Sequence, residues 1–317
     1  MLIYALKRVA ALVITLFIIL SINFIIIRLM PFEIVGDGMM QQVRINMMRR
    51  YNLDKPIIDQ YFIYIKNFLS FDFGESITLY PSRDVFTILK PKIPLTLLLN
   101  IMSMVIAIPV GLACGIAAAL KKNTLVDHGV TFMVVLFVSV PSFVFASLMQ
   151  YFLAFKMGWF PVTLAMDQTI TLNRIHSIIL PILALSFSGI ATITRYMRAE
   201  LFESLSSDYM LLSKAKGLTQ IQSTVRHAMR NSLIPVCTVI LPMFMNLLGG
   251  TMVVENIFAI PGMGTLTVLA ISTSDFYLIS AILFVYSLIS LIAVLIMDLI
   301  YGLIDPRIRI GGGKEHG

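Results

Sequence analysis

Long apolar stretches alternate with short polar ones along the whole chain. Each apolar stretch approaches the roughly 20 residues that an α-helix needs to cross the hydrocarbon core of a bilayer. The pattern therefore predicts an all-α polytopic membrane protein with about six transmembrane helices. The predicted spans are residues 9–30, 94–119, 129–155, 177–195, 233–254 and 278–301.

Composition supports a membrane protein and changes how the charge is interpreted. Of the 317 residues, 58% are hydrophobic and only 13% are charged, whereas about a quarter of the residues of a soluble domain are charged. In membrane proteins, Lys and Arg collect on the cytoplasmic side and set the orientation. The net charge of +7 is therefore explained first by the orientation of the chain in a membrane, and not by binding to nucleic acid.

The positions of the basic residues predict the orientation. Residues 31–93 form the long loop between the first two predicted spans. With six crossings, the clusters of Lys and Arg outside this loop fall on one side of the membrane, which places both termini in the cytoplasm. The connection at 255–277, on the opposite side, has no Lys or Arg. The first stretch is too long for a signal peptide and has no cleavage motif, so we expect a span. The basic residues on the cytoplasmic side are Lys7, Arg8, Lys121, Lys122, Arg195, Arg198, Lys214, Lys216, Arg226, Arg230, Arg307, Arg309 and Lys314.

The spans divide the chain into four predicted parts. Residues 1–30 form the N-terminus and first span, and 31–93 an extracytoplasmic loop region. Residues 94–306 form a five-span core that includes a cytoplasmic loop at 196–232, and 307–317 a cytoplasmic tail. Within the outer loop, Asp54-Lys55-Pro56 is a helix start followed by apolar residues at helical spacing, so we expect one or two helices there.

Several kinds of chemistry have no signature in this sequence. No charged residue lies deep inside a predicted span, and Glu255 and Asp298 stand at span ends. This argues against an ion-coupled transporter, which uses buried ionisable groups. A phosphate-binding loop and a nucleophile–base pair are also lacking. We therefore expect no enzyme activity, and any energy for transport has to come from another subunit.

The cysteines and histidines do not predict a metal site. Cys114 and Cys237 lie in apolar stretches, where cysteine is usually a small packing residue. The four histidines are far apart and show no ligand spacing. We expect no metal and no cofactor bound by this chain.

Two glycines and several prolines lie in the apolar stretches. Gly111 and Gly115 are four residues apart, which predicts a face for close packing against another helix. A proline removes one backbone hydrogen bond and kinks a helix. These prolines are Pro94, Pro109, Pro141, Pro181, Pro235 and Pro242.

The polar segment between the fourth and fifth spans predicts a pair of short helices. Ser207 or Asp208 is suited to cap the first helix, and Gly217 to end it in the left-handed conformation. Thr219 followed by Gln222 predicts a capping box for the second helix. Pro235 is expected to start the fifth span, where its missing N–H costs little.

The second of these helices is amphipathic. Ile221, Val225 and Met229 form one apolar stripe and Arg226 and Arg230 lie on another. Nucleic-acid binding is disfavoured, because no aromatic platform accompanies the charge. A helix lying on the membrane surface and a knob docking into a cytoplasmic protein both remain open from the residues alone.

A second candidate site follows the fifth span. Glu255 precedes "NIFAIPGMG", in which Pro261, Gly262 and Gly264 allow a tight turn. A gate on the outer side and simple helix capping are both consistent with this pattern. Glu255 and Asn256 are candidate substrate or gate contacts, with Glu255 a possible partner for a peptide amino group.

Several motifs, taken in order, resemble one family of transport proteins. The segment "DYMLLSKAKGLTQIQSTVRHAMRNSLIP" is similar to the cytoplasmic loop of bacterial ABC importer permeases, in the version found in peptide and nickel permeases. "NLDKP", "FDFGES", "GGTMVVENIFAIPGMGTL" and "DLIYGLIDPRIR" fall in the expected order. The resemblance covers essentially the whole chain and is strongest to the B-type permease of oligopeptide or dipeptide importers.

The resemblance implies a role for the polar loop. In the family this loop forms a coupling helix that enters a groove on the ATPase subunit. The positions that match are Asp208, Tyr209, Ala215, Lys216, Gly217, Leu218, Arg226, His227, Arg230 and Asn231. Two departures are visible: Leu211-Leu212-Ser213 replaces the Glu-Ala-Ala of the broader consensus, and "MPFEIVGDG" differs from the usual turn after the first span.

The resemblance also implies an assembly. Its other members would be a second homologous permease, two cytoplasmic ATPases carrying ATP and Mg²⁺, and an extracytoplasmic peptide-binding protein, in a bacterial cell membrane. Oligopeptides are the implied substrate, and nickel or a metal–chelator complex is the alternative. A non-transport membrane protein whose basic loop binds lipid or a signalling partner is the alternative of another class.

Overall fold

The computed structural model describes residues 2–29, 54–165, 171–244 and 251–304. Contacts divide the chain into two units: residues 1–92 with 266–295, and residues 93–265 with 296–317. Both are mainly helical. We call them unit 1 and unit 2 and describe each by itself.

Unit 1 holds the first helix, the outer loop and most of the last long helix. Its elements are α1 (Leu2–Leu29), α2 (Ile57–Leu69), β1 (Glu75–Ser76), β2 (Arg83–Asp84) and α3 (Val85–Leu89), and α12 (Met263–Ser272) and α13 (Phe276–Ile304) lie largely within it. The two strands are antiparallel, with Glu75 opposite Asp84.

Unit 2 holds the remaining helices, two of which contain π-helical turns. In order they are α4 (Ile93–Leu120), α5 (Leu125–Ser139), α6 (Ser142–Met149) continuing into π1 (Gln150–Lys156), α7 (Leu172–Leu205), α8 (Asp208–Ala215), α9 (Gln220–Ser223) continuing through π2 (Thr224–Ala228) into α10 (Met229–Met243), and α11 (Met252–Ile257).

Among the described residues, four helices are long and apolar enough to cross a membrane, and a bent pair makes a fifth candidate. The four are Arg8–Ile26, Val85–Leu120, Leu172–Leu205 and Phe276–Asp298. They correspond to the first, second, fourth and sixth predicted spans. These helices agree with the predicted polytopic helical membrane protein. The predicted span 233–254 includes residues 245–250, which lie outside the described residues, so six spans stay a prediction.

The predicted third span, 129–155, is not one continuous helix. Leu125–Ser139 and Ser142–Lys156 are bent by 100° relative to each other. Val140 is extended, at φ −101° and ψ 123°, and Pro141 precedes the first turn of α6. Proline disfavours the helical conformation in the residue before it, so Pro141 breaks the helix here.

Small residues bring α4 and α7 into close contact in unit 2. An ideal Cβ on Gly111 would lie 2.8 Å from Cβ of Ile193, and one on Gly115 would lie 2.6 Å from Cβ of Met197. Thr194 Oγ1 donates to the Gly111 carbonyl at 3.1 Å. The predicted close-packing face is confirmed.

An ion pair ties the start of α5 to α7. Arg198 donates from Nε to Asp127 Oδ1 at 2.6 Å and from Nη2 to Oδ2 at 2.9 Å. The backbone N–H of Asn123 also donates to Asp127 Oδ2, at 3.0 Å. The Asp127 side chain is 3% exposed and that of Arg198 37%, so this is a partly buried clamp.

The helix predicted after Asp54-Lys55-Pro56 is present in unit 1 as α2, with Pro56 immediately before its first residue. Asn23 Nδ2 of α1 donates to Tyr64 Oη at 3.0 Å and to Ser280 Oγ at 3.0 Å. Asp275 Oδ2 accepts from Ser76 Oγ at 2.5 Å and thereby fixes the strand pair to the start of α13.

The structure tests only some of the remaining predictions. Cys114 and Cys237 are free and half-buried, as expected of packing residues. The segment "MPFEIVGDG" at 30–38 and the tail at 307–317 lie outside the described residues. The four-part domain division stays a prediction.

Candidate functional site

The polar hairpin, residues 207–232, begins where α7 ends at Leu205. Ser207 is the residue before α8, in extended conformation at φ −80° and ψ 155°, but it makes no capping bond with its side chain. Its hydroxyl donates instead to the Ser204 carbonyl, at 2.6 Å. Ser207 thus occupies the predicted N-cap position, but its side chain makes no capping bond, because its hydroxyl bonds backwards onto α7.

Gly217 ends α8 as predicted. Its φ is +82°, in the left-handed region that a Cβ disfavours. Its N–H donates to the Lys214 carbonyl at 2.9 Å, and Leu218 N–H donates to the Ser213 carbonyl at 3.3 Å. An ideal Cβ on Gly217 would meet no atom within 4 Å, so the backbone conformation alone demands glycine here.

The capping box at Thr219 is confirmed. Gln222 Oε1 accepts from the Thr219 N–H at 3.1 Å, and Thr219 Oγ1 accepts from the Gln222 N–H at 3.3 Å. The helix that starts there does not end before the fifth span. It runs through π2 into α10 as far as Met243. Pro235 therefore lies inside a helix, and the prediction that it starts one is wrong.

The inner face of the hairpin is fixed by buried hydroxyl groups. Ser213 Oγ of α8 donates to Ser223 Oγ of α9, and both residues are buried. Ser232 Oγ donates to the Glu200 carbonyl of α7 at 3.1 Å. Tyr209 Oη and Ser204 Oγ share a hydrogen bond of 2.5 Å. These bonds hold the hairpin to the end of α7 as one body.

The outer face of the hairpin is open and amphipathic. Ile221 is 75% exposed and Val225 57%, and Leu211 and Leu212 are 66% and 57% exposed. The matched coupling residues lie around these apolar positions: Asp208, Ala215, Lys216, Gly217, Arg226, His227, Arg230 and Asn231 are exposed, and Tyr209 and Leu218 are half-buried. The structure thus brings the predicted coupling residues onto one rigid element.

The second candidate site is a tight turn at residues 251–265. Glu255 has no solvent-exposed surface. Its Oε1 accepts from Thr96 Oγ1 at 2.7 Å, and its Oε2 accepts from the Thr265 N–H at 3.0 Å. Thr96 Oγ1 also accepts from the Met263 N–H, at 2.8 Å. The carboxylate therefore holds the turn against the start of α4.

Glycine is required where the turn approaches the carboxylate. An ideal Cβ on Gly264 would lie 2.5 Å from Met252 Cα and 2.9 Å from Glu255 Oε2, and one on Gly262 would overlap the same carboxylate. Pro261 and Asn256 are exposed, and Asn256 Nδ2 donates to the Met252 carbonyl at 2.8 Å. A peptide amine would have to displace the hydrogen bonds of Glu255 to reach it.

Two residues of this site were not predicted from the sequence. Thr96 lies in an apolar stretch and gives no signal by itself. Gln150, in π1, donates from Nε2 to the Val162 carbonyl at 2.9 Å and to the Ile257 carbonyl at 2.6 Å. The only signal for Gln150 in the sequence was that it is a lone glutamine inside an apolar stretch.

Among the residues that the structure describes, no group of three His, Cys, Asp or Glu side chains could hold a metal ion.

Comparisons with known proteins agree with this architecture. The family described as "Binding-protein-dependent transport system inner membrane component" matches residues 111–310. The dipeptide transport system permease protein DppB of Lactococcus lactis subsp. cremoris is 37% identical over 97% of this chain and 99% of its own length. DppB of Bacillus subtilis is 37% identical over 97% of this chain and 98% of its own.

More distant relatives extend the likeness. The oligopeptide transport system permease protein OppB of Haemophilus influenzae is 32% identical over 98% of this chain and 100% of its own length. A chain of the MetNI methionine ABC transporter, in an inward facing conformation, shares the fold with a TM-score of 0.55 at 16% identity, over 69% of this chain and 97% of that one. The chain therefore belongs to the binding-protein-dependent transport system inner membrane components, as a permease of the ABC importer class whose relatives include peptide permeases.

Proposed function

We propose that this chain forms half of the translocation pathway of a peptide importer and is worked by cytoplasmic ATPases through the polar hairpin. The observation that carries the proposal is the outer face of the hairpin, where Ile221 and Val225 stand exposed on a body held to α7 by buried hydrogen bonds. Relatives named as dipeptide and oligopeptide permeases support the substrate.

The hairpin is suited to transmit motion because it is continuous with two long helices. One side joins α7, a helix of 34 residues, through the Ser204–Tyr209 bond. The other side runs without interruption into α10. A groove that grips Ile221 and Val225 would move α7 and α10 together when the ATPases close. Coupling requires that these contacts differ between the two ATPase states.

The proposed assembly supplies what this chain lacks. A second, homologous permease completes the pathway, and an extracytoplasmic binding protein delivers the peptide. Two ATPases bind ATP and Mg²⁺, while this chain binds neither and has no enzyme activity of its own. We place the complex in the bacterial cell (inner or plasma) membrane, and nucleic acid has no part in it.

Reconstitution tests the substrate. The chain is assembled with its second permease, ATPases and binding protein in proteoliposomes, and ATP-dependent uptake of labelled di- and oligopeptides is measured beside uptake of Ni²⁺ and a nickel–chelator complex. We expect uptake of peptide alone, abolished when ATP is omitted. Uptake of nickel without peptide would replace the substrate and leave the coupling proposal standing.

A further inference from the structure

A cleft with both polar and apolar walls opens among the helices of unit 2. Its volume is about 270 Å³, and it is lined by α4, α6, α7 and the end of α10. This volume accommodates several water molecules, since each occupies about 30 Å³ in the liquid. The polar residues of the lining are Asn100, Ser103, Ser142, Ser188 and Thr192, and none of the described residues that line the cleft is charged.

The cleft lies beside the middle of two helices that are long and apolar enough to cross a membrane. Ser188 is at the middle of the 34-residue helix α7. Asn100 and Ser103 lie within the candidate span Val85–Leu120. Polar groups turned toward lipid tails at this depth cost free energy unless they are hydrogen-bonded. The hydroxyl and amide groups of this partly apolar lining are therefore suited to contact with water or a polar ligand.

The hydrogen bonds of the lining leave acceptor groups available. Ser103 Oγ donates to the Asn100 carbonyl at 2.7 Å, and Thr192 Oγ1 donates to the Ser188 carbonyl at 2.9 Å. Each hydroxyl has used its single proton within its own helix, and its oxygen can still accept. Asn100 Nδ2 donates to the Thr96 carbonyl at 2.9 Å and retains a second N–H. The lining therefore offers both donors and acceptors.

The broken third span points to the same place independently. Helix α6 starts at Ser142, directly after the extended residues Val140 and Pro141, and Ser142 lines the cleft. Non-helical backbone at membrane depth is tolerated only where it is buried in protein or lines a water-filled cavity. Substrate sites of transporters are often built at such discontinuous helices.

Small side chains keep the cleft open. Gly189 stands next to Ser188, and an ideal Cβ on it would lie 3.0 Å from the Ala107 Cβ of α4. Larger residues at Ser188 or Gly189 would fill the space between α4 and α7. The cleft therefore depends on small residues.

We infer, on the basis of the proposed peptide permease function, that this cleft is a wall of the peptide pathway and contacts the peptide main chain through neutral hydroxyl and amide groups. Peptide carbonyls and N–H groups are common to all peptides, and these neutral groups can pair with either. A wall without charge neither attracts nor repels charged peptide side chains. Passage along it is then insensitive to side-chain charge, and any such selection lies with another subunit.

Cysteine accessibility tests the placement. Ser188→Cys and Ser142→Cys are each introduced into a chain carrying Cys114→Ala and Cys237→Ala, and the whole complex is treated with a charged methanethiosulfonate reagent. The control is Val105→Cys, which is 57% exposed on α4 and is not among the cleft residues. The thiolate is the reactive form and needs water, so we expect both cleft cysteines to react at least about tenfold faster than the control.

Peptide protection and uptake separate this inference from the function on which it rests. Saturating peptide, supplied with the binding protein and ATP, is expected to slow labelling of Ser188→Cys. Ser188→Leu is expected to lower peptide uptake about tenfold with ATPase retention unchanged, while Ser188→Ala transports normally. The inference would be overturned if, in a complex that imports peptide, both cleft cysteines were labelled no faster than Val105→Cys. A parent complex that imports no peptide would overturn the proposed function instead.

Discussion

Ser213 and Ser223 join the two helices of the polar hairpin through a hydrogen bond between their buried hydroxyl groups. Ser213 belongs to the Leu211-Leu212-Ser213 segment, where this chain departs from the broader importer consensus. Its neighbours Leu211 and Leu212 are exposed. The departure therefore puts a polar packing contact inside the hairpin and two apolar residues on its open face.

Removing one hydroxyl of the Ser213–Ser223 pair should destabilise the hairpin more than removing both hydroxyls. In Ser213→Ala the Ser223 hydroxyl stays buried without its partner, at a cost of about 1–3 kcal/mol. The double variant Ser213→Ala/Ser223→Ala removes both groups and should recover part of that loss. Hydrogen exchange of residues 208–228 measures the difference. Equal protection in the single and double variants would show that the pair contributes nothing.

Gly217 should tolerate substitution in the order that its backbone conformation dictates. Its left-handed φ costs an ordinary residue roughly 1–2 kcal/mol, and asparagine less. We expect stability of the hairpin to fall from Gly to Asn to Ala to Val, with loss of ATP-driven uptake for Val, although no atom blocks the side chain.

Gly158 is the matched control for Gly217. It also has a positive φ, of 66°, and open space around a built Cβ, but it follows π1, outside the hairpin. Gly158→Val should carry a similar backbone strain and leave coupling intact. If both valine variants lose uptake equally, the effect at Gly217 is general destabilisation and the coupling role is not supported.

Glu255→Gln should loosen the turn at 251–265. Both carboxylate oxygens accept hydrogen bonds, from Thr96 and from the Thr265 N–H. A glutamine would set its NH₂ group against one of these donors, at about 1–3 kcal/mol. Limited proteolysis between residues 257 and 265 should accelerate, whereas Glu203→Gln, at an exposed carboxylate, should leave it unchanged.

The same Glu255→Gln variant addresses substrate binding. Because the carboxylate is fully enclosed, we expect discrimination between free and N-acetylated peptides to stay the same. A loss of that discrimination would instead make Glu255 a ligand of the peptide amino group.

Arg198→Lys should weaken the clamp on α5 even though the charge is kept. A lysine cannot reproduce the two parallel bonds to the Asp127 carboxylate. The partial exposure of Arg198 limits the cost to about 1–2 kcal/mol. The melting temperature of the purified complex should fall for Arg198→Lys and for Asp127→Asn, and the double variant should lose less than the sum. Additive losses would show that the pair does not interact.

Local signals in the sequence predicted the hairpin better than its surroundings. The capping box of Thr219 and the left-handed Gly217 follow from side-chain chemistry within a few residues. The position of Pro235 inside a helix could not be predicted in this way, because a π-helical turn at 224–228 joins the helix that starts after Thr219 to the one that contains Pro235. Such a turn depends on packing that periodicity does not reveal.

The turn at residues 251–265 shows what local sequence signals could not predict. The tight turn at Gly262 and Gly264 was predicted from composition, whereas its cause was not. The Thr96 hydroxyl that meets Glu255 comes from the start of α4, far away in sequence. Burial of the carboxylate was equally invisible, because Glu255 stands at the end of an apolar stretch. The break at Pro141 was predicted as a kink and is a 100° bend, since the residue before it is extended as well.

The most direct measurement of the central claim is retention of the ATPases when the open face of the hairpin is made acidic. In Ile221→Asp/Val225→Asp the exposed apolar positions are charged without touching the buried serines. Leu172→Asp, at an 87% exposed leucine at the opposite end of α7, about 50 Å away along the helix, is the control. We predict that the hairpin variant loses both co-purifying ATPases and ATP-driven peptide uptake, and that the control keeps them. Full retention and uptake in the hairpin variant would contradict the account.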